Sequence, residues 1–224
     1  MPYSNFLINT TKFLCSNRTI ANFYMHKAIA YRIMGENDKS ISVLNKIIEV
    51  NPQFTQAYYN RALSYYLKFD YEHAIIDYSK SIELNPKYAM AYNSRALAYD
   101  ESGDFERAIA DFNVAIDLNP KHAEGYSNRG GTYLRIGYYD RAIEDLTKAL
   151  KYDPKLAIAY MILGLAYFSK GDVDFAITNY NKAIKLNPSF MEAYKNRGHA
   201  YMEKGNKELA DADLKRAEVM KYSL

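Results

Sequence analysis

The chain has 224 residues, with 29 Lys and Arg against 26 Asp and Glu, and the two signs are interleaved along it. Interleaving describes solvated helical faces and argues against a nucleic-acid track, which needs clustered basic side chains. A single cysteine, Cys15, excludes an internal disulfide framework and fits a reducing compartment; no apolar run spans a bilayer and no basic n-region marks a secretory leader, so a cytoplasmic location without membrane insertion is expected.

Residues 1–20 carry Phe6, Leu7, Thr10, Phe13 and Leu14 at helical spacing, with Ser4 as an N-cap. Counted in the phase of the repeats that begin at residue 21, they lie where a second helix would, so a capping half-repeat is expected there. Asn9-Thr10-Thr11 and Asn17-Arg18-Thr19 match the glycosylation pattern by chance if no leader precedes them.

From residue 21 the chain repeats. Pro52, Pro86, Pro120, Pro154 and Pro188 stand 34 residues apart. Tyr24, Tyr58, Tyr92, Tyr126, Tyr160 and Tyr194 keep the same step, as do Tyr31, Tyr65, Tyr99, Tyr133, Tyr167 and Tyr201. The units are 21–54, 55–88, 89–122, 123–156, 157–190 and 191–224, each read as helix, turn, helix. The expected fold is all-α, a solenoid that buries its core between neighbouring repeats.

The first helices end at Gly35, Gly103, Gly137, Gly171 and Gly205, where a positive φ is needed. Repeat two has Phe69 there, so its turn is expected to differ. The second helices end at Asn51, Asn85, Asn119, Asp153 and Asn187, each before a Pro. Asn tolerates the left-handed conformation, and Pro cannot continue the helix.

Ala28, Ala62, Ala96, Gly130, Gly164 and Gly198 sit between the two tyrosines of each first helix. Ser40, Ala74, Ala108, Ala142, Ala176 and Ala210 open the second helices. Small residues facing each other let two helix backbones approach closely. Arg61, Arg95, Arg129 and Arg197 precede the small residue, and Asp77, Asp111, Asp145 and Asp213 occur in the second helices of the same repeats. Where Arg becomes Leu163, Asp becomes Asn179; where it becomes Lys27, the partner is Val43. This co-variation predicts a bidentate Arg–Asp bridge inside each of four repeats; the alternative is an arginine row for anionic ligands. At the end, the columns Ile41, Ile75, Ile109, Ile143, Ile177 and Ile48, Ile82, Ile116, Leu150, Ile184 turn into Asp211 and Glu218. Two acidic residues there suit a polar outer face that ends the array near Leu224.

The 34-residue period, the small residue between aromatics, the GDFERAI, GYYDRAI and GDVDFAI segments and the LNP endings resemble tetratricopeptide repeats over residues 21–224. Tyr stands at the family's first-helix Trp position, Phe69 replaces Gly, and Tyr222 stands in place of Pro. The resemblance implies helix pairs stacked in a right-handed superhelix. It also implies that the first helices line a concave groove, which usually holds a peptide segment of another protein.

Helical geometry selects the same face, opposite the Tyr-Ala-Tyr stripe. Asn60, Asn128 and Asn196 share one column with Ser94, and an Asn amide can both donate to and accept from a peptide backbone. This ladder is similar to that of O-linked N-acetylglucosamine transferases and is broken at Ile162; Asn is also a common family residue at this place. Met161, Ile162 and Phe168, with Tyr59 and Tyr66, suit an apolar anchor of a partner, whereas Ile29, Leu63, Leu97 and Leu165 suit packing between first helices. The expected groove set is therefore Tyr59, Asn60, Tyr66, Ser94, Asn128, Met161, Ile162, Phe168 and Asn196. The chaperone-binding subfamily clamps a C-terminal carboxylate with Lys and Asn one turn apart. Those places here read Met25/Ile29, Tyr59/Leu63, Asn93/Leu97, Ser127/Gly131, Met161/Leu165 and Lys195/His199, so an acidic chaperone tail is not an expected ligand.

His26, His73, His122 and His199 are dispersed, with no metal-ligand spacing, phosphate loop or activated nucleophile. No catalytic residue, metal or cofactor is expected. The chain reads as a protein–protein interaction scaffold, or alternatively as a self-assembly module or regulatory subunit of a larger complex.

Overall fold

The computed structural model describes residues 21–221, and every regular element among them is an α-helix. The chain divides into two compact units, residues 1–104 and 105–224. The division falls at the third turn, inside a repeat. The first unit contains α1 (residues 21–33), α2 (Asn37–Val50), α3 (Thr55–Leu67), α4 (Tyr71–Leu84) and α5 (Ala89–Glu101). The second contains α6 (Phe105–Leu118), α7 (Ala123–Arg135), α8 (Tyr139–Tyr152), α9 (Ala157–Ser169), α10 (Val173–Leu186), α11 (Met191–Glu203) and α12 (Lys207–Lys221). Odd-numbered helices are the first helices of the repeats. The expected capping helix lies outside the described residues.

Each unit is a run of helical hairpins, in which a first helix packs on its own second helix and on the second helix before it. In the first unit, Met25 and Ala28 of α1 bury against Leu44 and Ile47 of α2 and Ala57 of α3. Tyr59 and Ala62 then pack with Ala74, Tyr78, Ile82 and Ala91. In the second unit, Tyr126 and Tyr133 of α7 enclose Ala142, Leu146 and Ala149 of α8 together with Ala159, Leu163 and Ala166 of α9.

The small residues are dictated by contact. A Cβ on Gly130 would lie 2.9 Å from Leu146 Cγ and 3.3 Å from the Ala142 carbonyl oxygen. One on Gly198 would lie 3.0 Å from Leu214 Cγ and 3.3 Å from the Ala210 oxygen. Small residue thus faces small residue, as the sequence predicts. Gly164 is tighter still: its Cβ would lie 2.5 Å from Cε1 of Tyr180, a phenol in place of leucine.

Two expectations about chain reversals are corrected. The five turn glycines have φ between 74° and 87°, and Phe69 adopts φ 61° in the same turn. The Asp70 amide donates to the Tyr65 carbonyl at 3.0 Å, as Glu36 does to Tyr31 at 2.8 Å. The turn of repeat two does not differ; packing of the flanking helices fixes it, and the side chain accepts an unfavourable backbone. At the second-helix ends, Asn51, Asn85, Asp153 and Asn187 are extended rather than left-handed, with φ of −137°, −144°, −130° and −133°. The following Pro excludes helical geometry at these residues. Their side chains close Asx turns instead, accepting from the amides of Gln53, Lys87, Lys155 and Ser189 at 2.9–3.2 Å.

Candidate functional site: the first-helix faces

The three predicted arginine bridges that lie within one unit are formed as forks. Arg61 Nε and Nη2 donate to Asp77 Oδ2 and Oδ1 at 2.6 and 2.7 Å. Arg129 meets Asp145 at 2.7 and 2.8 Å, and Arg197 meets Asp213 at 2.7 and 2.7 Å. The fourth pair is divided between the units, Arg95 on one and Asp111 on the other. The remaining Nη1 of each fork donates backward to the preceding repeat: Arg61 to Asn45 at 2.7 Å, Arg129 to Asn113 at 2.5 Å, Arg197 to Asn181 at 2.5 Å. Arg95 Nη1 donates in the same way to Ser79 Oγ at 2.9 Å.

These arginines also lie over the tyrosine columns. Arg129 is 5.9 Å from the ring centres of both Tyr126 and Tyr133, and Arg197 is 5.5 and 5.8 Å from those of Tyr194 and Tyr201. The Asp77 and Asp213 hydrogen bonds hold Arg61 and Arg197 above the ordinary guanidinium pKa against the opposing pull of burial. At Arg129 burial pulls hardest in the lowering direction, and the hydrogen bond and charge of Asp145 together outweigh it. Each of these three guanidinium groups thus directs three of its five N–H donors into the fold, which supports the structural reading of the forks. The asparagines at 45, 113 and 181 were missed from sequence. Their signal was there: each stands sixteen residues before an Arg that has an Asp sixteen residues after it.

The predicted groove residues fall into two groups. Tyr59 and Met161 are buried. Tyr59 packs its ring 5.0 Å from Tyr88 and 5.7 Å from Tyr78, and its hydroxyl lies 3.3 Å from Ser94 Oγ. Three repeats on, the same place holds Met161, whose sulfur accepts from Asn196 Nδ2 at 3.5 Å. Each pair links one first helix to the next inside its own unit. Asn60 returns its amide to its own helix, Nδ2 donating to the Gln56 carbonyl at 2.8 Å. Tyr66 is half-buried, 5.5 Å from Tyr71.

Asn128, Ile162, Phe168 and Asn196 are half-buried in the second unit. Ile162 packs against the Tyr126–Leu163 cluster and reaches within 3.9 Å of a Cβ position on Gly131. Phe168 and Leu165 pack on Ala176, Tyr180 and Ala200. Along α9 the outward positions Ile158, Ile162, Leu165 and Phe168 are all apolar, and Ile158 is exposed. On α7 and α11 the matching places begin with Glu124 and Asn128, and with Glu192 and Asn196. Beneath this strip lies Tyr180, which sequence reading did not single out. Its hydroxyl is buried without a hydrogen-bond partner among the described residues, and burial pushes its pKa well above the ordinary phenol value. Its counterpart Tyr78 has Ser94 as a hydrogen-bonding neighbour.

Among the described residues no group of three His, Cys, Asp or Glu is placed to hold a metal, and no helix is long and apolar enough to cross a membrane. Family models described as tetratricopeptide repeat match residues 21–54, 55–88 and 78–110, and one described as TPR repeat matches 98–137, 133–171 and 164–205. No curated protein matches. A crystal structure of MamA is 30% identical, with a TM-score of 0.63 over 72% of this chain and 95% of that one. A chain of the APC/C hetero-tetramer Cut9-Hcn1 aligns at 19% identity and TM-score 0.81, covering 93% of this chain and 42% of its own. Pseudomonas aeruginosa PilF aligns at 15% identity and TM-score 0.77, covering 88% and 90%. The last two similarities concern fold alone.

Proposed function

Because this chain belongs to the tetratricopeptide-repeat family, whose members are in general non-catalytic scaffolds that bind other proteins, we propose that its second unit holds a peptide segment of a partner protein on the outward faces of α7, α9 and α11. The observation that carries this is the apolar strip of α9, Ile158, Ile162, Leu165 and Phe168, set between helices whose first two equivalent positions are Glu124 and Asn128 on α7 and Glu192 and Asn196 on α11. An apolar centre with a polar rim is the anatomy of a recognition surface, and the rim here includes Asn128 and Asn196, whose amides can pair with an extended backbone. The partner's segment supplies one or two large apolar side chains to the strip. Met161, being buried, shapes the wall rather than meets the ligand.

The test is selection of a random peptide library on the intact protein, followed by measured binding of the selected peptides to the Ile162→Ala/Phe168→Ala double variant. Peptides with spaced apolar anchors, weakened at least tenfold by that variant at unchanged helical content, are expected. Selected peptides that bind the variant as well as the parent would place the recognition surface elsewhere.

A further inference from the structure

Phe69 is the one non-glycine with positive φ among the described residues, at a position where five other repeats carry glycine. It gains little packing for that backbone: its ring meets Tyr71 edge-on at 6.4 Å, and the residue is 78% exposed. A glycine would relieve the strain without loss of core. An unfavourable conformation that presents a large aromatic side chain to solvent motivates a functional hypothesis.

Its surroundings are apolar in the same unusual way. Ile33 is 77% exposed, Met34 69% and Leu67 47%. In the other repeats the places of Ile33 and Leu67 are taken by Glu101, Arg135, Ser169 and Glu203. The first two turns stand side by side: Lys68, between Leu67 and Phe69, reaches back to pair with Asp38 at the start of α2. Ile33, Met34, Leu67 and Phe69 thus form one edge patch on the first unit. Its apolar area is on the order of a few hundred Å², comparable with the largest apolar patch of a typical monomer, which is often functional.

We propose that this edge pairs with the same edge of a second copy of the chain. Two features favour a copy over a charged partner or surface. The rim includes ion pairs already closed within the chain, Lys39 with Glu36 and Lys68 with Asp38, whose charges cancel and so neither attract an oppositely charged partner nor repel a twin. A two-fold pairing of the patch and its rim also buries on the order of 1,000 Å² in total, about the floor for a specific interface and right for a reversible dimer. This association is independent of the α9 strip.

Sedimentation velocity over roughly 1–200 µM, the range of a reversible complex with micromolar Kd, tests it on the full chain of 25.8 kDa. The parent is expected to move from monomer to dimer. Phe69→Gly is expected to weaken dimerisation at least tenfold while melting no lower than the parent, which separates lost pairing from lost folding. Leu67→Ser should weaken it as well. Ile162→Ala/Phe168→Ala, at the peptide face, should leave it unchanged. A parent monomeric throughout, or a Phe69→Gly variant that dimerises as the parent does, overturns the proposal.

Discussion

Replacing Arg129 with Leu leaves Asp145 with a side chain only 4% exposed and without the fork that neutralised it. Two charge-assisted hydrogen bonds to Asp145 disappear, and so does the link to Asn113 on the preceding second helix. Stranding one member of a buried pair usually costs about 3–5 kcal/mol. Arg129 itself is 16% exposed, so some solvent reaches the site and the lower end, about 3 kcal/mol, is expected. The protein contains its own control. In repeat five the same two places hold Leu163 and Asn179; the leucine is buried, and the amide is satisfied by donating to the Phe175 carbonyl at 2.8 Å. Arg129→Leu combined with Asp145→Asn copies that solution, and its loss is expected to stay within about 1 kcal/mol, since replacing both members of a buried pair is far milder than removing one. Denaturant unfolding of parent, single and double variants gives the comparison. Native-state hydrogen exchange on α7 and α8 assigns it to the right repeat, which matters in a solenoid whose repeats open semi-independently. A double variant as unstable as the single would refute the claim that the stranded charge, rather than lost packing, is what destabilises.

The same packing sets the remaining expected outcomes. Gly164→Ala places a methyl 2.5 Å from the Tyr180 ring and should lose about 1–3 kcal/mol in chemical denaturation. Gly131→Ala on α7, whose nearest neighbour is Ile162 Cδ1 at 3.9 Å, should instead gain up to about 1 kcal/mol from helix propensity. Tyr180→Phe removes a buried hydroxyl that has no partner among the described residues and should raise stability by about 1 kcal/mol, the penalty of an unmet donor; a drop in melting temperature would mean that the hydroxyl is bonded. His73 and Asp70 form a surface pair at 2.9 Å; the Asp70 hydrogen bond raises the histidine pKa above 6.5, and the His73 hydrogen bond lowers that of the aspartate below 3.8. The histidine contribution is complete below 6.5 and fades as pH rises through the folded value; the aspartate contribution is complete above 3.8 and fades as pH falls through its folded value. His73→Gln should therefore lower the melting temperature more at pH 5 than at pH 9.

The repeat made most of the fold legible, because each column is sampled six times and a deviation in one place can be matched with a deviation in another. That is how Leu163 and Asn179 exposed the Arg–Asp forks from sequence alone. What escaped had one of two physical origins. A helical wheel assigns a residue to the side away from its hairpin partner, but a first helix also touches the next first helix. Tyr59 and Met161 point that way and are taken up in links to Ser94 and Asn196. The second origin is local backbone competition. At Asn51 and its equivalents the following Pro overrode the left-handed tendency of Asn, and at Phe69 the packing of α3 on α4 overrode the reluctance of Phe to take positive φ. Neither contest can be scored from residue preferences alone, because each is decided by a neighbour.

The same logic separates residues that keep the fold from residues kept for something else. Leu163 and Asn179 depart from their columns together, and each repairs the other, so that departure carries no functional weight. Phe69 departs alone, keeps the turn its column demands, and leaves the resulting strain without repair. Glycine is the residue that takes this φ without penalty, so Phe69→Gly is expected to stabilise the turn. The proposed pairing of this edge with a second copy gives the exposed phenyl ring a contact that the turn itself does not supply.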